Sequence, residues 1–452
     1  MRYLPHTQQD IEQMLAAIGV PSVDALFDCI PEQGRLERPL AMEPGLDEVS
    51  LMRHLSDLAS KNKGATMLSF LGAGMYDHHI PPAVDQLLLR SELYTAYTPY
   101  QPEVSQGTLQ AIWEFQTIAA EVLGHQIANA SMYDGASAAA EAVLMARRVT
   151  KKTKVVVCEG VHPEYIETIQ TYLSGLDDGA EVIRVRVDNN GITDVSRLDD
   201  LLRENVAAIV VGYPNFFGCV MDLSPLAERA HAAGALLVTA TQDPYALALL
   251  EAPGQQGADI SVAEGQAIAT APSFGGPGVG MFASRSDRKF LQEMPGRLVG
   301  ETVDTSGKRG YVLTLATREQ HIRRDRATSN ICTNQGLIAL SLTIRMCLLG
   351  KQGFVDVAKR CVEKTQYLRD QIASLDGFSV VYPNTLVFNE FVVRVRGGNA
   401  AVLFERLTRE GILAGVPLSR WFSEREDQLL LAVTEKHTRE DLDRLVSALR
   451  AC

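Results

Sequence analysis

Two short stretches carry groups that could hold the charged ends of a small molecule. Tyr133-Asp134-Gly135-Ala136-Ser137 precedes an alanine-rich stretch of helical texture. Glycine and small residues at a helix start leave backbone N–H groups free for an anion such as a phosphate. Ser137 is equally explained as an N-cap. The second stretch, residues 236–243, is an apolar strand-like run ending on Asp243. An acid there can pair with a cationic ring nitrogen, or can cap the turn that begins near Pro244. A carbonyl cofactor held between two such groups needs a third device, a primary amine. No lysine occurs between Lys154 and Lys289.

Other residue groups suggest chemistry less directly. Tyr97-Thr-Pro-Tyr-Gln101-Pro-Glu is a proline-stiffened loop with two phenols, Tyr97 and Tyr100, beside Gln101. Tyrosine offers an apolar body and a polar tip, so the loop suits a site or an interface as well as a packed turn. Arg318, His321, Arg323, Arg324 and Arg326 have only Glu319 and Asp325 among them. Clustered arginine in an acidic chain suits a carboxylate, a phosphate or an acidic partner, or an internal ion-pair network. His78 and His79 are adjacent, and neighbours in an extended chain point to opposite faces. Neither HxH nor HExxH spacing appears, so no metal is expected, and the pair suits a loop near a substrate entrance. Cys332 has no adjacent base and is expected to be a buried thiol. Gly275-Gly276-Pro277-Gly278 lacks the GK[ST] ending of a phosphate loop and reads as a backbone-shaping turn.

The elements that must position these groups follow an α/β rhythm. Apolar strand-like runs fall at 155–158, 182–187, 207–212, 235–240, 260–263 and 279–283. Helix-like stretches at 107–123, 137–149 and 225–233, the last with Ser224 as its expected cap, lie between them. That alternation implies a mostly parallel sheet covered on both faces, with ligands beyond the strands' carboxyl ends. Residues 1–64 read as a helical arm. Thr7 caps a first helix, a second short helix carries Leu26, Phe27 and Ile30, and the arm is too small for its own core. Residues 65–344 form the large α/β domain. Residues 345–452 form a small α+β domain, with a helix over 353–375, strands at 379–382, 391–395 and 429–432, and a last helix over 439–449.

Within such a sheet, the 133–137 turn and Asp243 resemble the phosphate cradle and pyridine-nitrogen partner of pyridoxal phosphate (PLP) enzymes of the aspartate-aminotransferase fold, fold type I. Their lysine follows the next strand, about two dozen residues beyond the acid. That place falls near Gln266 or Ala267, and neither is a lysine. Covalent PLP on this chain alone is therefore not expected, and Ser137 and Asp243 become vestigial candidates.

Composition excludes some classes. With 46% apolar and 22% charged residues the 452-residue chain is of ordinary globular type, and its net charge of −12 argues against nucleic-acid binding. Seven cysteines without CxxC spacing suit free thiols in a reducing compartment. The stretch MRYLPHTQQDIEQ has no apolar signal core, and no apolar run of span length stands out. A cytoplasmic protein without membrane association is expected.

Longer segments carry a more specific resemblance. They are Phe70-Leu-Gly-Ala-Gly-Met-Tyr-Asp-His-His-Ile-Pro-Pro, Tyr97-Thr-Pro-Tyr-Gln-Pro-Glu-Val-Ser-Gln-Gly, Tyr133-Asp-Gly-Ala-Ser, Phe274-Gly-Gly-Pro-Gly, residues 317–333 and Val433-Thr-Glu. Together they resemble the α subunits of split glycine decarboxylases, the P proteins of the glycine cleavage system, over nearly the whole chain. The resemblance implies a lysine-free relative of a PLP-bearing β subunit, in an α₂β₂ assembly. It implies that glycine is decarboxylated at the β subunit's PLP and that the aminomethyl group passes to the lipoyl arm of H protein, whose disulfide is reduced. Tyr97, Tyr100, Gln101, Arg323 and Arg324 are then candidates for a shared site or interface. Two other readings stay open: a non-catalytic scaffold or regulatory subunit, and a self-sufficient PLP enzyme using an unexpected lysine.

Overall fold

The computed structural model describes residues 5–36, 38–95, 97–176, 178–315, 320–324, 327 and 329–452, with backbone alone for Gln320 and His321. Arg318, Glu319, Asp325 and Arg326 lie outside the described residues. The chain divides into two compact units, residues 1–65 and 66–452.

In the first unit, helix α1 (Gln8–Ile18) starts on Thr7, which forms a capping box with Asp10, and Gly19 closes it at φ 83°. The second expected helix is instead a 3₁₀ turn, Asp24–Phe27. Helix α2 (Glu48–Ala59) starts on Asp47. Neither α1 nor α2 has a buried side chain.

The second unit is built on a seven-stranded sheet. Its strands are β1 (Ile127–Ala128), β2 (Lys154–Cys158), β3 (Glu181–Val185), β4 (Val206–Gly212), β5 (Leu236–Thr241), β6 (Ile260–Glu264) and β7 (Gly280–Ser284), ordered β1-β7-β6-β5-β4-β2-β3. The strands from β3 to β6 run parallel, while β7 is antiparallel to both neighbours. Every residue of β4 and β5 is buried, as expected for parallel strands covered on both faces. Alternation within β2 sends Val155 and Val157 to one core and Val156 and Cys158 to the other. Helix α3 (Gln106–Leu123) packs on one side through Phe115, Ala119 and Leu123. Helix α4 (Gly135–Thr150) packs on the other through Ala138, Ala139, Ala142 and Val143. Each fully buried aliphatic side chain contributes roughly 1.5–3 kcal/mol. The helix over Ser224–Ala232 takes Ser224 as its first helical residue rather than its cap. A hairpin, Leu298–Val303 with Arg309–Thr314, interrupts the α/β rhythm.

A four-stranded antiparallel sheet lies near the C-terminus, ordered Phe378–Val380, Glu390–Val395, Gln428–Ala432, Val416–Pro417. Phe391, Leu429 and Leu431 pack against Leu403, Leu407, Leu442 and Leu445. The helix expected over 353–375 begins earlier. Gly336–Ala373 runs as two helices joined at Gly350, whose φ of 60° and ψ of 177° break the helical path. By length and composition this segment could cross a bilayer, which corrects the expectation that no run of that kind is present. Its Ala339, Leu342, Phe354, Ala358 and Cys361 instead enter the core beneath the sheet.

Candidate functional site

The carboxyl ends of β5 and β6 meet the start of α4, and there the sequence-selected groups come together. Gly280 of β7 sets the distance, since a Cβ on it would lie 2.4 Å from the Asp134 carbonyl. The cap of α4 is Asp134, not Ser137. Asp134 accepts from the Ser137 N–H at 2.7 Å, and the Ser137 hydroxyl returns to the Asp134 N–H at 3.2 Å. Ser137 is thereby engaged within its own turn.

The N–H groups at this corner converge on a side chain absent from the sequence reading, Glu264, the last residue of β6. Its Oε2 accepts from Gly135 N–H at 2.8 Å, and its Oε1 accepts from Gln266 and Val279 N–H at 2.9 Å each. Burial pushes its pKa up to about 7, against the pull of the three N–H groups. Both oxygens act as acceptors, which is the arrangement of the carboxylate.

Asp243 follows β5 as expected and is buried, but its partner is also internal. His78 Nε2 lies 2.9 Å from Asp243 Oδ2, and Asn389 donates to the same oxygen at 2.6 Å. The Tyr245 N–H donates to Oδ1 at 3.0 Å. The other ring nitrogen, His78 Nδ1, lies 2.6 Å from Glu435 Oε2. Burial disfavours the imidazolium, yet the two carboxylates outweigh it and raise its pKa to about 9. Glu435 is likewise disfavoured as an anion by burial, and His78 brings it down to about 2. Cys361 lies beside this pair, and the ligand atoms of His78, Cys361 and Glu435 fall within 4.8 Å of one another. Both His78 nitrogens are already at hydrogen-bond distance from carboxylates, which describes a bonded imidazolium.

His78 belongs to a segment that crosses the crevice. Gly72 passes so close to the C-terminal sheet that a Cβ would lie 2.3 Å from Glu390 Oε1. Ala73 N–H donates to Glu390 Oε1 and Tyr76 hydroxyl to Glu390 Oε2, both at 2.7 Å. The Ala73 carbonyl lies 2.8 Å from His162 Nε2, and His162 packs edge-on to Phe216 and Trp421. At the expected lysine position, Gln266 donates from Nε2 to the Thr270 carbonyl at 2.6 Å, and Ala267 is buried. The sequence marks the 133–137 turn, Asp243 and the lysine gap for this crevice, but not Glu264, Glu390 or Glu435.

The loop and arginine candidates lie elsewhere. Tyr97 is exposed and, with Pro99, borders a small hollow lined by Thr108, Ile112 and Leu337. Gln101 is exposed and precedes a 3₁₀ turn, Pro102–Val104. The Tyr100 hydroxyl accepts from Arg297 at 3.0 Å, the guanidinium lies 4.9 Å from the ring centre, and the same guanidinium donates to the Cys332 carbonyl. Cys332 itself is exposed, correcting the buried-thiol expectation. Arg323 and Arg324 are exposed, and Arg324 borders a hollow of about 840 Å³ with Arg147, Arg148, Lys151 and Lys152. Phe274, at the tip of the glycine turn, stands almost wholly in solvent.

The sequence family described as "Glycine cleavage system P-protein" matches residues 1–449. The chain belongs to this family. A relative from Sorangium cellulosum named "Probable glycine dehydrogenase (decarboxylating) subunit 1" is 61% identical, covering 99% of both chains. A relative of the same name from Desulforamulus reducens is 48% identical over the full length of both. Among solved structures, an inhibitor-bound crystal structure of glycine decarboxylase (P-protein) of the glycine cleavage system is similar at TM-score 0.89, with 42% identity and complete coverage of both chains. A sphingosine-1-phosphate lyase from Burkholderia pseudomallei shares the fold alone, at TM-score 0.66, 16% identity, and coverage of 93% of this chain and 94% of that one. The fold is thus the PLP enzymes' fold type I. The residues of this chain's own crevice do not fit PLP. No amine stands at Gln266 or Ala267, Glu264 fills the anion cradle, and His78 and Asn389 cover Asp243.

Proposed function

We propose that this chain is the α subunit of a two-subunit glycine decarboxylase of the glycine cleavage system, and that PLP is carried by a lysine-bearing β subunit. The observation that carries the reading is a full-length P-protein match joined to a crevice whose cofactor groups are satisfied from within. In this reading the β subunit decarboxylates glycine, and the aminomethyl group passes to the lipoyl arm of H protein. The assembly is α₂β₂ and cytoplasmic. The chain is organised as arm 1–64, large domain 65–344 and small domain 345–452.

Contributions from this chain then come from exposed groups. Tyr97, Tyr100 and Gln101 are proposed to border the shared site or the subunit interface, and Arg323 and Arg324 to meet an acidic surface of the β subunit or H protein. Leu51, Met52, Leu55 and Leu58 on α2 are exposed, which suits coverage by another chain. The test is exchange of labelled bicarbonate into the glycine carboxyl, with H protein present. Activity should require both subunits. A β subunit equally active alone would overturn the reading.

A further inference from the structure

The crevice at the ends of β5 and β6 keeps the electrostatic outline of a cofactor site, with a positive end at α4 and a negative end at Asp243. A helix N-terminus carries roughly half a unit of positive charge, concentrated on its free N–H groups. Here one such group, Gly135 N–H, is joined by Gln266 and Val279 N–H, and all three point at Glu264. A carboxylate with two accepting oxygens supplies what a phosphate would supply to the same donors. At the opposite end, His78 offers a ring N–H to Asp243, as a cationic heterocycle would. Tyr76 donates its N–H to Gln266 in the lysine's place, and its hydroxyl is anchored on Glu390.

The covering residues are tied down on both sides. Glu435 holds His78 Nδ1 through one oxygen and the His79 N–H through the other, the latter at 2.7 Å. Glu390 holds Ala73 and Tyr76. Gly72 has no room for a side chain between Glu390 and Ala432. Segment 72–79 therefore cannot lift from the crevice without breaking buried, charge-assisted hydrogen bonds at several points.

We propose that this chain carries an internal replacement for the cofactor: Glu264 in the place of the phosphate, His78 in the place of the cationic ring nitrogen, and segment 72–79 across the space between. The crevice is closed to phosphate-bearing ligands from solution, and the anion cradle of α4 persists, latent, beneath Glu264. PLP bound in this chain's own crevice would contradict it, since Glu264 and His78 already hold the groups that would bind the cofactor.

Two variants of the full chain test it. Glu264→Ala leaves three converging N–H groups without an acceptor. Its melting temperature should fall and should recover in part, saturably, with inorganic phosphate but not with chloride at equal ionic strength. Its apparent phosphate affinity at this site should exceed that of the wild type by about tenfold or more. A variant stabilised by phosphate no more than the wild type would overturn the proposal. If Glu264→Ala does not fold with or without phosphate, Gln266→Lys decides. PLP followed by borohydride should leave position 266 of the folded chain unlabelled, since Glu264 and segment 72–79 still occupy the crevice. Stoichiometric labelling at that position would show an open site and overturn the proposal.

Discussion

At the carboxyl edge of the sheet, Asp243, His78 and Glu264 are buried, and each faces a partner from its own chain. Along the loop at residues 97–104 the order is reversed. Tyr97 and Val104 are about four-fifths exposed, and half-exposed Tyr100 reaches inward to the buried Arg297. Both regions carry residues that belong in enzyme sites by type. The difference is how much of each side chain faces solvent. In the crevice they have become structure, while at the loop Tyr97 remains presentable.

The sharpest way to break this comparison is at His78. His78→Ala would leave Asp243 and Glu435 buried and facing each other without a cation, with an expected loss of about 3–5 kcal/mol in chemical denaturation. A loss no larger than that of a surface substitution would mean the crevice is not held by its ions.

The wild type's pH dependence probes the same network less drastically. His78 has its folded pKa raised from 6.5 to about 9, so its contribution is complete below 6.5 and lost as pH rises through 9. The expected loss over that interval is on the order of 3 kcal/mol. Glu264 and Glu390 are pushed up to about 7 by burial, so they too erode stability as pH rises from 4.5 through 7. Glu435, brought down to about 2, acts oppositely and its contribution is lost as pH falls from 4.5 through 2. Thermal melts should therefore show stability falling between pH 6.5 and 9, and His78→Gln should flatten that limb. A limb of unchanged slope in that variant would assign it to another group.

On the presentable side, effects should appear in assembly before folding. Arg323→Ala with Arg324→Ala is expected to weaken association with the β subunit or H protein by about tenfold, about 1.4 kcal/mol, in titration calorimetry. Unchanged association with both would remove these arginines from the interface. Tyr100→Phe loses the hydroxyl contact to Arg297 but keeps the ring beneath the guanidinium, so about 1 kcal/mol of folding stability should go. Tyr97→Phe should change folding stability by less than about 0.5 kcal/mol. If the loop borders the shared site, turnover of the assembled enzyme should nonetheless fall while the complex stays intact.

Much of the frame was legible along the chain. The parallel strands read as apolar runs because both faces are covered, and β2, β4, β5, β6 and β7 lie within a residue or two of their expected places. The lysine gap was legible too, because an amine is either present at a position or not. The occupants of the crevice were not. Glu264 ends an apolar strand as Asp243 follows one, and that parallel was the one signal that could have marked it. The His78-His79 pair carries no local mark of the two carboxylates that His78 meets.

Sequence by itself determined that this chain could not hold PLP through a lysine near Gln266, and that it carries the P-protein segments. Only the tertiary structure decided what stands there instead. His78 meets Asp243 across 165 positions of sequence and Glu435 across 357, and Tyr76 meets Glu390 across 314. Local pattern reports the periodicity of burial along one element. It carries no information about which distant charge will share a desolvated pocket, where an unpaired ion would be too costly to keep and pairing is settled by packing.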